Sequence, residues 1–252
     1  MIFNPSKGRK VCGLFFYFYP LLPYTFLLLI SPTCFIIEKA EKKTVFCRDR
    51  GVCAMKHIIF DIGNVLLSFH PKAYLLSHFS TPTAEALMSI VFESEQWVEL
   101  DRGTLSYAQA IALLSEKHPA YAAEIAYVLQ HWTQLMAPMA RNVALAEQLK
   151  ANGYSLYLLS NFHREAFEIL FEKYAFFSLF DGRIVSAYEH CLKPEPAIYR
   201  RLLARYGLCA QDCVFIDDTA VNIRAAECLG IRGIHLPYGA DLTPALKNLA
   251  LI

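Results

Sequence analysis

The chain has 252 residues, enough for one sizeable domain or for a core carrying a smaller inserted one. Its formal net charge of +1 excludes the overall basic bias of a nucleic-acid binder. That charge is uneven: residues 1–54 hold eight Lys/Arg against three Asp/Glu, whereas residues 55–252 hold 16 against 20, a net −4.

The first element in chain order is the uncharged run from Val11 to Ile37, 27 residues long and mainly Leu, Phe, Tyr and Ile. It is long enough to span a bilayer. Lys7, Arg9 and Lys10 precede it and Lys39, Lys42, Lys43, Arg48 and Arg50 follow, which would leave the C-terminal side in the cytoplasm. Pro20, Pro23 and Pro32 interrupt a helix there, and no small-x-small cleavage site follows. Met55 stands two residues before the first clear strand, in "AMKHIIFD". The expectations, in order, are an over-extended reading frame covering 1–54, a membrane segment at 11–37, and a signal peptide; the expected location is cytoplasmic. The eight cysteines include no C-x-x-C pair, and Cys209 and Cys213 lack histidines at zinc spacing. They read as small buried hydrophobes in a reducing compartment.

After Met55 strand-like runs alternate with helical patterns. The strands are 57–61 (HIIFD), 154–160 (YSLYLLS), 182–187 (GRIVSA), 213–218 (CVFIDD) and 231–236 (IRGIHL). Helices are expected over roughly 138–151, 163–173, 195–206, 219–229 and 242–250, several closed by Gly153, Gly207 and Gly230 in left-handed caps. Such alternation predicts an α/β fold, a Rossmann-like three-layer core with a mainly parallel sheet. Between Phe69 and Pro138 only helical patterns occur, with Thr104 and Ser106 as candidate caps for the last. The expected organisation is a core of 55–70 and 138–252 with an inserted helical cap at 71–137, lying over the carboxyl ends of the strands where open α/β sheets bind ligands.

Chemistry-bearing residues fall at those ends. Asp61 follows the apolar run Ile58-Ile59-Phe60, Ser160 and Asn161 end the second strand, Lys193 precedes a proline and a helix, and Asp217 and Asp218 end "CVFIDD". A carboxylate after a strand buried on both faces requires a partner, and a divalent cation with Lys193 would supply one.

In type, order and spacing these four motifs resemble those of the haloacid dehalogenase superfamily, over the whole of 55–252. "FDIGNV" and "FIDDTAVNIRAA" are similar to its branch containing sugar-phosphate phosphatases such as glucose-1-phosphate phosphatase. The resemblance implies an Mg²⁺-dependent phosphatase acting on a small phosphorylated metabolite, with a sugar phosphate as one candidate. Asp61 would be the nucleophile, and an Asp61 oxygen, the Gly63 carbonyl and Asp218 the metal ligands, with Asp217 acting directly or through a water. Ser160, the Asn161 backbone N–H and Lys193 would hold the phosphoryl group, and Asn222 would orient the acidic loop.

One departure stands out. Most phosphatases of the superfamily carry a second Asp two residues after the nucleophile, where this chain has Gly63. Three readings follow: a phosphatase of substrates with good leaving groups, a dehalogenase-type hydrolase, whose halide needs no proton, and a non-catalytic phosphometabolite-binding module. His163 and His70 are candidate substitutes for the acid, and Trp97 and Arg102 candidate wall residues of a sugar pocket.

Overall fold

The structure, a computed structural model, describes residues 55–252 and, before them, residues 10–11, 14–15, 26–31, 34–39 and 42–47. Strands β1 (Lys10–Val11) and β2 (Leu14–Phe15) pair antiparallel, as do β3 (Phe26–Ser31), β4 (Cys34–Lys39) and β5 (Lys42–Cys47) in that order. The run 11–37 thus lies partly outside the described residues, and its described stretches are extended; the expectation of an unused upstream frame also lies outside them. No helix among the described residues is long and apolar enough to cross a membrane. Residues 1–50 and 51–252 are separate compact units.

The second unit is built on a five-stranded sheet, β6 (His57–Phe60), β7 (Ser155–Ser160), β8 (Gly182–Val185), β9 (Cys213–Asp217) and β10 (Arg232–His235), in the order β10-β9-β6-β7-β8 and parallel throughout. Period-2 alternation sends successive side chains to opposite faces. Ile58, Phe60, Leu156, Leu158, Val214 and Ile216 pack against helices α6 (Ala140–Ala151), α7 (Arg164–Lys173) and α11 (Thr243–Asn248). Ile59, Leu159, Ile184 and Phe215 face α9 (Pro196–Tyr206) and α10 (Ala220–Glu227) through Tyr199, Leu202 and Ile223. This is the expected three-layer α/β arrangement. The chain runs from β6 to β7 on one side and returns to β9 on the other, which places the topological switch point, the usual ligand crevice of such sheets, between β6 and β9.

Residues 71–131 are helical: α1 (Pro71–His78), α2 (Thr81–Leu87), α3 (Glu95–Arg102), α4 (Tyr107–Lys117) and α5 (Ala122–His131). Ser106 caps α4 in a reciprocal capping box with Gln109, whereas Thr104 instead bonds back to Glu99 O at 3.0 Å. The segments entering and leaving the insertion lie side by side, with Ser68 N–H donating to Ala137 O (2.9 Å) and Met139 N–H to Leu66 O (2.8 Å). Its apolar residues Leu75, Leu87, Val91, Leu100 and Val128 join one continuous core with the sheet.

The end of α3 is pinned to the core at Gly103, whose φ of +73° closes the helix, and a Cβ there would lie 2.1 Å from Ala187 O of the short helix α8 (Ser186–Glu189). Only glycine allows both the left-handed turn and this approach. Gly103→Ala is therefore expected to lower stability by at least about 1–2 kcal/mol from backbone strain alone, read as the shift in urea midpoint. Cys191 and Cys228 carry free thiols, the first buried and the second exposed.

Candidate active site

Parallel strands deliver their ends to one edge, and three of the four motifs arrive there directly. Asp61 leaves β6 only 7% exposed, its Oδ1 accepting from Ile62 N–H at 2.7 Å and lying 2.8 Å from Lys193 Nζ. Burial pushes the Asp61 carboxyl up to about 7, with Lys193 opposing the rise and Asp217 adding to it. Ser160 is buried at the end of β7, its Oγ donating to Asn161 O at 3.5 Å.

Lys193 arrives from the loop before α9, and its Nζ bridges Asp61 and Asp217, the latter at 2.7 Å. Burial works against the ammonium, but the two carboxylates outweigh it and hold Lys193 protonated, above the ordinary lysine range. The Asn161 side chain clamps the lysine's backbone: Lys193 N–H donates to Oδ1 at 2.8 Å and Nδ2 donates to Lys193 O at 3.0 Å. The sequence reading assigned Asn161 only a backbone contact to phosphate, so this clamp is an addition to it.

Asp217 is fully buried with both oxygens engaged. Besides Lys193, it accepts from Thr219 N–H at 2.8 Å and from Asn222 Nδ2 at 3.1 and 3.2 Å. Asp218 is half-buried and freer, accepting from Asn64 Nδ2 at 3.0 Å and Thr219 Oγ1 at 3.1 Å. Asn64 was missed as a working residue. Its φ of +54° suits the residue type most tolerant of that region after glycine, and its Oδ1 accepts from Phe69 N–H at 3.0 Å, so it ties the β6 loop to Asp218. The signal was present in an Asn directly after Gly at a strand end.

Oxygens of Asp61, Asp217 and Asp218 lie within 4.8 Å of one another, the only group of this kind among the described residues. Three carboxylates face one ammonium, a deficit of two positive charges that a hard divalent cation would balance with oxygen ligands.

A cavity of about 180 Å³ opens over Asp61. Gly63, Ser160, Asn161 and Lys193 line its base, and Phe69, Trp97, Trp132 and Met136 line the side formed by the insertion and its return segment. A side chain at Gly63 would meet nothing within 4 Å, so the corner is open rather than filled. Trp97 lines the cavity as expected. Arg102 does not; it turns to Glu195 at 2.8 Å. Asp101, one residue earlier, lines the cavity instead. His163 is fully buried, and burial pulls its ring down to about 3, so it stays neutral and is no proton donor near neutrality. His70 packs edge-on against Tyr238, 4.2 Å between centroids, and is not among the residues lining the cavity.

The family model for haloacid dehalogenase-like hydrolases matches residues 55–230. The sesquiterpene phosphatase astK of Aspergillus oryzae is 29% identical over 194 residues, covering 77% of this chain and 96% of that protein. A phosphoglycolate phosphatase of Yersinia pseudotuberculosis is 27% identical, covering 77% of this chain and 86% of its own length. Among solved structures, a family enzyme of Bacteroides thetaiotaomicron in complex with magnesium and inorganic phosphate superposes with a TM-score of 0.63 at 19% identity, over 76% of this chain and 99% of that one. With the model spanning most of its length and the parallel sheet reproduced, the chain belongs to the haloacid dehalogenase-like hydrolase family.

Proposed function

We propose that the chain is an Mg²⁺-dependent phosphatase of a small phosphate monoester, working through an aspartyl-phosphate on Asp61. The observation that carries this reading is Lys193 Nζ held between Asp61 and Asp217, 2.8 and 2.7 Å away, beneath a cavity that Ser160 also lines. A carboxylate nucleophile and a phosphoryl dianion repel each other, and the site is built to cancel that repulsion.

Asp61, Asp218 and the Gly63 carbonyl would hold the cation. Asp217, already saturated by Lys193, Thr219 and Asn222, serves to fix the lysine. When bound, Mg²⁺ supplies Lewis-acid charge that binds the phosphoryl oxygens beside the nucleophile. Lys193 neutralises charge on the transferring group, Ser160 donates to one of its oxygens, and Asn161 keeps Lys193 in place. Relatives named as phosphatases and the acidic triad support a phosphate ester over a halide.

The wall of Phe69, Trp97, Trp132 and Met136 favours an alcohol with apolar carbon over the sugar considered from sequence alone. The relative named as a sesquiterpene phosphatase accords with that preference. The test is phosphate release from a panel of alkyl, prenyl and sugar monophosphates. Full activity is expected with Mg²⁺, none after EDTA, and recovery when the metal is restored. Undiminished turnover in excess chelator would overturn the metal assignment, and a sugar phosphate as the best substrate would overturn the apolar one.

A further inference from the structure

Alcohols leave poorly as alkoxides, and Gly63 offers no carboxyl to protonate one. Among the described residues lining the cavity, only Asp61, Lys193 and Asp101 carry titratable side chains. Asp61 is the nucleophile, and Lys193 is locked in its charged form between two carboxylates. Asp101 is left.

A chain of part-buried contacts aims it. Trp132 Nε1–H can only donate, and it does so to Tyr107 Oη at 2.9 Å. The Tyr107 proton is then free for His163 Nδ1, 3.3 Å away. A neutral imidazole that accepts at Nδ1 carries its hydrogen on Nε2. That atom is buried with no hydrogen-bond partner and faces Asp101 Oδ1 at a long 3.5 Å. The His163 ring itself is wedged against Trp97 and Trp132, with centroids 4.2 and 5.2 Å away. From the core, Ser186 Oγ donates to the Asp101 carbonyl at 2.5 Å, and the Gly103–Ala187 contact fixes the same helix end. With one carboxyl oxygen turned to His163 Nε2–H, a proton on the other is directed away from the imidazole.

We propose that Asp101 is the general acid and base of the reaction, supplying from the helical insertion the carboxyl group absent at position 63, with His163 and Tyr107 as its positioning residues. The proposal rests on the phosphatase reading above. Partial burial pushes Asp101 up to about 8, with Lys193 opposing and Asp61 adding, a direction that favours the protonated carboxyl; its side chain keeps 20% exposure to the cavity. As the Asp61 oxygen bonds to phosphorus, the bond from phosphorus to the alcohol oxygen breaks. Its electron pair stays on that oxygen, which takes the Asp101 proton and leaves as alcohol. Asp101, now a carboxylate, then takes a proton from water as the water oxygen attacks phosphorus. The bond to Asp61 breaks, its electrons return to the Asp61 carboxylate, phosphate departs, and Asp101 is a carboxylic acid again.

The test is the dependence of the phosphorylation rate on leaving-group acidity, from alkyl phosphates to 4-nitrophenyl phosphate, in the wild type and in Asp101→Asn. The variant is expected to lose about 10²–10⁴-fold on alkyl phosphates. Its first-turnover burst of nitrophenol should persist and the phosphoryl-enzyme accumulate. Equal losses across all leaving groups, or no loss, would overturn the proposal. Tyr107→Phe leaves Asp101 in place and should steepen the same dependence to a lesser degree; should Asp101→Asn fail to fold, this slope decides. A wild-type slope in Tyr107→Phe would overturn the positioning chain. Failure of the phosphatase reading shows differently, as a wild type that releases phosphate from no member of the series.

Discussion

Asp61→Asn is expected to abolish turnover and to make the metal-free protein more stable. An amide cannot form the acyl phosphate, and removing a covalent nucleophile costs on the order of 10⁶-fold in kcat. The stability change has the opposite sign. The Asp61 carboxyl is raised from its usual acidic value to about 7 by burial, so the folded protein binds a proton there that the unfolded chain has already released. This group's contribution to stability is therefore largest below the unfolded pKa and falls as pH rises toward 7. Asparagine carries no such penalty. Melting in EDTA should show Asp61→Asn above the wild type at pH 8, with the gap closing toward pH 4. A gap that widens toward acid pH would contradict the assignment of burial as the dominant cause.

The second large effect is at Lys193. Replacing it by Met keeps much of the side-chain volume but strands Asp61 and fully buried Asp217 without their shared cation. Breaking a buried ion pair by removing one partner costs about 3–5 kcal/mol. Lys193→Met should lose stability on that scale at neutral pH by urea unfolding, less in acid where the carboxylates protonate, and should lose phosphate release as well. The two substitutions thus act in opposite directions on stability and in the same direction on activity, as expected of a site that stores unfavourable charge for its chemistry. A Lys193→Met variant as stable as the wild type would show that Asp217 is satisfied by Thr219 and Asn222 alone.

Much of this site was legible in the chain itself. Apolar runs ending in Asp61, Ser160 and Asp217 read as parallel strands because buried strands need little alternation and a charge marks where they surface. Gly153, Gly207 and Gly230 marked helix ends through their left-handed backbone, at φ of +90°, +63° and +87°. What stayed hidden depends on tertiary placement. Asp101 and Arg102 are adjacent charges on an insertion helix, and only the approach of Gly103 to Ala187 decides that the first enters the cavity while the second pairs with Glu195. By sequence His163 is a candidate substitute acid, with a surface histidine the plainer reading; its burial comes from Trp97 and Trp132, far away in the chain. The side-chain clamp of Asn161 on Lys193 spans 32 residues and leaves no local pattern.

The central claim is that Asp61 becomes covalently phosphorylated during turnover. It is tested by mixing enzyme, Mg²⁺ and a substrate from the panel, quenching in acid within the first turnovers, and mapping the phosphoryl group by peptide mass spectrometry. The account predicts one phosphoryl group, on Asp61, decaying at the rate of phosphate release. Sustained turnover with Asp61 unmodified, or with the group on another residue, would contradict it.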